Sequence, residues 1–163
     1  MLRSGNPRKA GLRNMRKSLR PGGIMTMIVW RVLEDNPWMG LPKKIVLGFL
    51  PPPDENAASC GPGPFSMANT EVVTKQLEIA GYAGIEFERI DARVTVGKDL
   101  DDAVAFQLAL GPAGEIYREA GKESERRHDE IVAAMKKEFA GYQTANGVML
   151  DSSSWKVTAR NPG

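Results

Sequence analysis

Two short clusters carry the side chains best suited to hold a ligand. Trp30-Arg31 closes a run of apolar residues, and Trp38-Met39 follows on the same outgoing segment. Tryptophan faces stack on flat groups and also fill cores, while an arginine pairs with an acidic group or stays solvated. The sequence leaves both uses open for Trp30, Trp38 and Arg31. Ligands in open α/β sheets bind outside the carboxyl ends of parallel strands, where these residues would lie. His128 is the one histidine and sits among Arg126, Arg127, Asp129 and Glu130, the setting of a solvated helix face. Asp91, on an expected strand, is a weak candidate base. Cys60 has no histidine near it to activate a thiolate and no partners at metal-ligand spacing, so no metal site is expected.

The elements that position these residues start from Leu19-Arg20-Pro21-Gly22-Gly23. Proline ends a helix, the glycine pair reverses the chain, and a strand begins at once. Ile24 to Trp30 has six apolar residues out of seven without alternation, which predicts a strand covered on both faces. Upstream, Asn6-Pro7 is a helix start, and Leu12, Met15 and Leu19 share one face of the helix that follows. Residues 1–23 carry Arg3, Arg8, Lys9, Arg13, Arg16, Lys17 and Arg20 and no acid. That arm fits a helix leading into the strand; nucleic-acid binding and a transit peptide are its alternatives.

Downstream, Asn36-Pro37 marks a helix entry, and Ile45, Leu47 and Phe49 suit a helix or a strand. Pro51 to Pro64 reads as a stiff loop. Asn69 caps a helix with Val73, Leu77 and Ala80 on one face, stopping at Gly81. In the strand after it the apolar parity changes between Phe87 and Ile90, for which a bulge is the simplest expectation. Asp99 or Asp101 opens a helix broken near Gly111-Pro112. A further helix after Gly121 carries an Ile131, Met135, Phe139 and Tyr142 stripe. Asn146-Gly147 turns into a last strand, with an interruption expected at Ser152-Ser153-Ser154.

The chain has 163 residues, 42% hydrophobic and 26% charged, with net charge +2 and one cysteine. These values predict one soluble domain in a reducing, cytoplasmic setting, with no run of roughly 18 apolar residues to span a membrane.

Asn14-Met15-Arg16-Lys17-Ser18-Leu19-Arg20-Pro21-Gly22-Gly23 with its strand to Val29-Trp30-Arg31 resembles the second half of class I S-adenosylmethionine-dependent methyltransferases. Asn36-Pro37-Trp38, Gly63 to Ala68, Glu88-Arg89-Ile90-Asp91, Leu108 to Gly114 and Trp155 to Arg160 look like the methyltransferase type 11 group. The resemblance implies an α/β, partial Rossmann-like fold. Of the family's strand order 3-2-1-4-5-7-6 it would keep 5-7-6, with strand 7 antiparallel, as a single incomplete domain over 1–163. A helical cap over 97–146 would cover the substrate pocket, with Trp30, Arg31, Trp38 and Met39 binding a small-molecule acceptor. The implied cofactor is S-adenosylmethionine, yet the Gly-rich turn and acidic strand end that hold it in the family are absent. The resemblance therefore implies the carboxyl-terminal part of such an enzyme. A non-catalytic remnant is the alternative. The Ile24-Trp30 strand would have an open apolar edge, which invites a second copy or a complementing fragment. Neither nucleic acid nor a membrane is an expected partner.

Overall fold

The computed structural model describes residues 7–52 and 63–163. Asn6, Cys60 and most of the proline loop lie outside them. The elements in order are α1 (Pro7–Lys17), β1 (Ile24–Trp30), α2 (Pro37–Leu47), α3 (Thr70–Ala80), β2 (Ala83–Gly97), α4 (Leu100–Ala109), α5 (Gly111–Glu119), α6 (Lys122–Arg126), α7 (His128–Phe139), β3 (Gln143–Thr144) and β4 (Gly147–Arg160). Among the described residues the strands form a four-stranded sheet in the order β1-β4-β2, with β3 also on β4. β1 runs antiparallel to β4, from Ile24 opposite Arg160 to Trp30 opposite Ser154. The fold is α/β with an antiparallel sheet.

The chain divides into two compact units, one of residues 1–32, 62–90 and 153–163, the other of 33–61 and 91–152. Each has its own core. In the first, Met25, Val157 and Ala159 of the strands pack with Leu12 of α1 and Val73, Leu77 and Ala80 of α3. α3 forms where the sequence predicts it, since the Asn69 side chain accepts from the Val72 amide and Gly81 closes the helix at φ +93°.

The reading of β1 as covered on both faces is corrected by the structure. Met25 is buried and Met27 and Val29 are half-buried, but Ile24 is 55% and Ile28 59% exposed. The helices cover one face only, and β1 is an edge strand with β4 as its one neighbour among the described residues. Met15 is likewise exposed, so of the expected stripe only Leu12 of α1 and Leu19, just past its end, reach the core.

The Leu19 to Gly23 turn is held from the other end of the chain. The buried Asn161 side chain accepts from Arg16 Nη1 at 2.9 Å and donates to the Leu19 carbonyl at 2.9 Å. Its backbone accepts from the Gly22 amide and donates to the Gly23 carbonyl, both at 2.8 Å. Asn161 thereby satisfies a carbonyl that the helix leaves open where Pro21 stops it. Gly22 makes the reversal at φ +77°, a region other residues rarely adopt.

The parity change in β2 has a cause in packing. Ile85 and Phe87 pack on the first core, while Val94 and Val96 belong to the second. β4 does the same: Val148 and Leu150 serve the second core, Trp155, Val157 and Ala159 the first. Lys156 pairs with Glu88 at 2.8 Å, and Ser152 Oγ donates to the Ala92 carbonyl at 2.9 Å. These contacts step equally along both strands, so the switch needs no inserted residue. The expected interruption at the serines is also corrected, because β4 is continuous and Ser152, Ser153 and Ser154 are buried within it.

The second unit is mostly helical. Val46 of α2, Ala103 and Val104 of α4, Ala113 and Ile116 of α5 and Ile131, Met135 and Phe139 of α7 close its core. Asp99 caps α4 by accepting from the Asp102 amide at 2.9 Å. The single helix expected after Gly121 is two, broken at Arg127. That guanidinium reaches the Phe49 carbonyl at 3.0 Å, lies over the Phe49 ring and pairs with Glu130 at 2.8 Å. The hydrogen bond from Arg127 holds the Glu130 carboxyl below its usual range.

Candidate functional site

Trp30 and Arg31 fall in the first unit, Trp38 and Met39 in the second. Trp30 is the last residue of β1, half-buried opposite Ser154. The Arg31 amide donates to the Ser153 carbonyl at 3.1 Å, which carries the ladder one residue past the strand. Its guanidinium lies 4.4 Å from the centre of the Trp155 ring. Trp155 is itself fixed, its Nε1 donating to the Ala68 carbonyl at 3.1 Å and its ring meeting Phe87 edge-on. One face of Arg31 is thus taken by an aromatic ring.

Trp38 lies in the first turn of α2. Its Nε1 donates to Asn36 Oδ1 at 3.3 Å. The helix entry expected at Asn36-Pro37 is present, and the Asn36 side chain makes no cap bond. Met39 is buried. The Trp38 carbonyl would ordinarily accept from the amide four residues on, but that residue is Pro42, which has none. Buried Gln107 of α4 supplies the missing donor, Nε2 to the Trp38 oxygen at 2.8 Å. Sequence reasoning missed Gln107; the signal was the proline four residues after Trp38. Asn161 was missed as well, and nothing local in its sequence marks it.

The other titratable candidates stand apart from these residues in their environment. His128 opens α7, exposed, with its Nδ1 2.8 Å from the Tyr117 hydroxyl. Asp91 is exposed on β2. Tyr82 is the buried acid of the first unit: its hydroxyl donates to the Leu12 carbonyl at 3.3 Å. Burial pushes that hydroxyl's pKa up, against the opposing pull of the Arg16 guanidinium. Among the described residues no three His, Cys, Asp or Glu side chains gather as metal ligands, and no helix is long and apolar enough to cross a membrane.

Comparison of the chain with protein-family models and with curated proteins finds no match.

Proposed function

We propose that the chain is the carboxyl-terminal part of an S-adenosylmethionine-dependent methyltransferase acting on a small molecule. The observation that carries the reading is the strand order β1-β4-β2 with β4 running antiparallel to β1. It agrees with the 5-7-6 segment that the resemblance implies. Support also comes from β1 itself. It is a strongly apolar strand with one neighbour among the described residues, which suits a central strand lacking its other partner.

In this reading the missing neighbour belongs to a donor-binding half that supplies the Gly-rich turn and the ribose-binding carboxylate. S-adenosylmethionine would bind chiefly there. Methyl transfer from a sulfonium is a direct displacement, so alignment and shielding from water supply much of the acceleration. By the resemblance, Trp30 would stack on the acceptor and Arg31 would pair with an acidic group on it.

The test is to read the coding sequence upstream of Met1 in frame, express the extended chain and titrate it calorimetrically with S-adenosylmethionine. A Gly-rich turn, an acidic strand end and micromolar binding are expected. An extension with neither motif and no binding would overturn the proposal. With no extension, failure of the chain itself to bind would favour the non-catalytic remnant.

A further inference from the structure

The turn from Leu19 to Gly23 gathers positive charge from two distant parts of the chain. Arg13 and Lys17 lie about one helical turn apart on α1, and Arg20 follows just before Pro21; all three are exposed. Arg160 comes from β4. It stands opposite Ile24 in the ladder, is exposed, and donates from Nη1 to the Gly22 carbonyl at 3.1 Å. Its neighbour Asn161 donates from Nδ2 to the Arg20 carbonyl at 3.4 Å. Arg20 and Arg160 are thereby held to the same turn. Arg16 is turned to the Asn161 side chain at 2.9 Å and helps fix this arrangement.

No Asp or Glu accompanies these cations, either in residues 7–23 or in residues 152–163. The neighbouring elements do carry acids, Glu71 and Glu78 on α3 and Glu86 and Glu88 on β2. Glu88 is paired with Lys156, and Glu86 lines one cavity with Arg160. Among the described residues, however, no Asp or Glu lies within ion-pair distance of Arg13, Lys17, Arg20 or Arg160. Like charges held around one turn repel, and a partner with several negative charges relieves them together. Leu12 and Leu19 pack on the first core and leave Met15 exposed by itself, so α1 has no free apolar face to enter a lipid surface. Three of the four cations are arginines, whose planar fork matches phosphate oxygens. Residues 7–23 hold no Phe, Tyr or Trp on which a base could stack. Nucleic acid is not an expected partner from the sequence, because Arg160 joins the other cations only in the fold.

We propose that the surface of Arg13, Lys17, Arg20 and Arg160 binds the phosphate backbone of nucleic acid without reading its sequence. All four residues belong to the first unit. The site does not depend on the methyltransferase reading, and its test uses no methyl donor. The full chain is titrated into a fluorescently labelled DNA duplex of about 20 base pairs, followed by anisotropy between about 50 and 200 mM salt. A dissociation constant of about 1–100 μM near physiological salt is expected, with a log–log salt slope of about −3 or steeper and equal affinity for two unrelated sequences. Lys17→Gln with Arg20→Gln should weaken binding about fivefold or more and flatten the slope by about 2. Lys122→Gln with Lys137→Gln, the same loss of charge on the second unit, should weaken it less than about twofold. The four substituted side chains are exposed, so each variant should keep a dispersed amide spectrum that shows it folded. No binding, binding indifferent to salt, a sequence preference, or equal losses in the two double variants would each overturn the proposal. Tighter binding to phosphatidylglycerol vesicles than to DNA would overturn it in favour of a membrane surface.

Discussion

The two units solve the same packing problem to different degrees. In the second, helices α2, α4, α5 and α7 surround a core in which Val46, Ile131, Met135, Phe139, Val148 and Leu150 are fully buried. In the first, α1 and α3 cover one face of the sheet, and the other shows Ile24 and Ile28 to solvent beside Arg160 and Lys156 on β4. Apolar surface left exposed in a strand forgoes about 25 cal/mol per Å² of stabilisation. The sheet unit has a strand whose composition asks for more neighbours than it has.

Substitutions ranked by size separate the two. Phe139→Ala removes a ring buried in the second core, and urea denaturation should show a loss of about 3–5 kcal/mol. Asn161→Ala in the first unit strands the Leu19 carbonyl and removes the shorter of the two bonds from Arg16 Nη1, and a loss of about 1–3 kcal/mol is expected. If that variant proves neutral, the Leu19 to Gly23 turn is not held from the carboxyl end. Gln107→Leu removes the side-chain donor to the Trp38 carbonyl, at a cost of about 1–3 kcal/mol. Combining it with Pro42→Ala should recover part of the loss, because an alanine amide can meet that carbonyl; no recovery would show that Gln107 acts through packing alone.

Tyr82 gives the first unit a pH signature. Burial holds its folded pKa above the ordinary tyrosine value of 10.0, so the protonated form is favoured by folding. The contribution is complete below pH 10 and is lost as pH rises through the folded pKa, so stability should fall on the alkaline side. Tyr82→Phe should flatten that fall while costing roughly 0.5–1.5 kcal/mol at neutral pH. An unchanged alkaline slope would assign it to other groups. The smallest effect belongs to the double change Ile24→Thr and Ile28→Thr, expected within about 0.5 kcal/mol of the parent because both side chains are already exposed. Its readout is association: sedimentation velocity should show less self-association than the parent, and a parent that is cleanly monomeric at micromolar concentration would count against an adhesive edge.

Much of the architecture was legible because it is written locally. Asn69 and Gly81 bound α3, Asp99 opens α4, and the Pro-Gly-Gly turn precedes β1, each through a backbone requirement that neighbouring residues state. What could not be read depends on residues distant in sequence. The apolar run of β1 is the same whether its faces are covered or bare, since the count of its neighbours is not encoded within it. The parity change in β2 was visible, but its cause, a passage from one core to another, required knowing that β4 changes with it. Of the candidate residues, Trp30, Arg31, Trp38 and Met39 were nameable by type. The tie of Arg31 to Trp155 and that of Trp38 to Gln107 were not, because those contacts join separate elements.

The claim that β1 lacks a neighbour is tested most directly by amide hydrogen exchange along that strand. The Arg31 amide bonds the Ser153 carbonyl, and antiparallel alternation then turns the Thr26 and Ile28 amides away from β4. In the chain alone as a monomer these two amides should exchange quickly beside protected Met27. In a chain carrying the donor-binding half they should become protected together. Thr26 and Ile28 amides already protected in the isolated monomer, or still unprotected in the extended chain, would contradict the account.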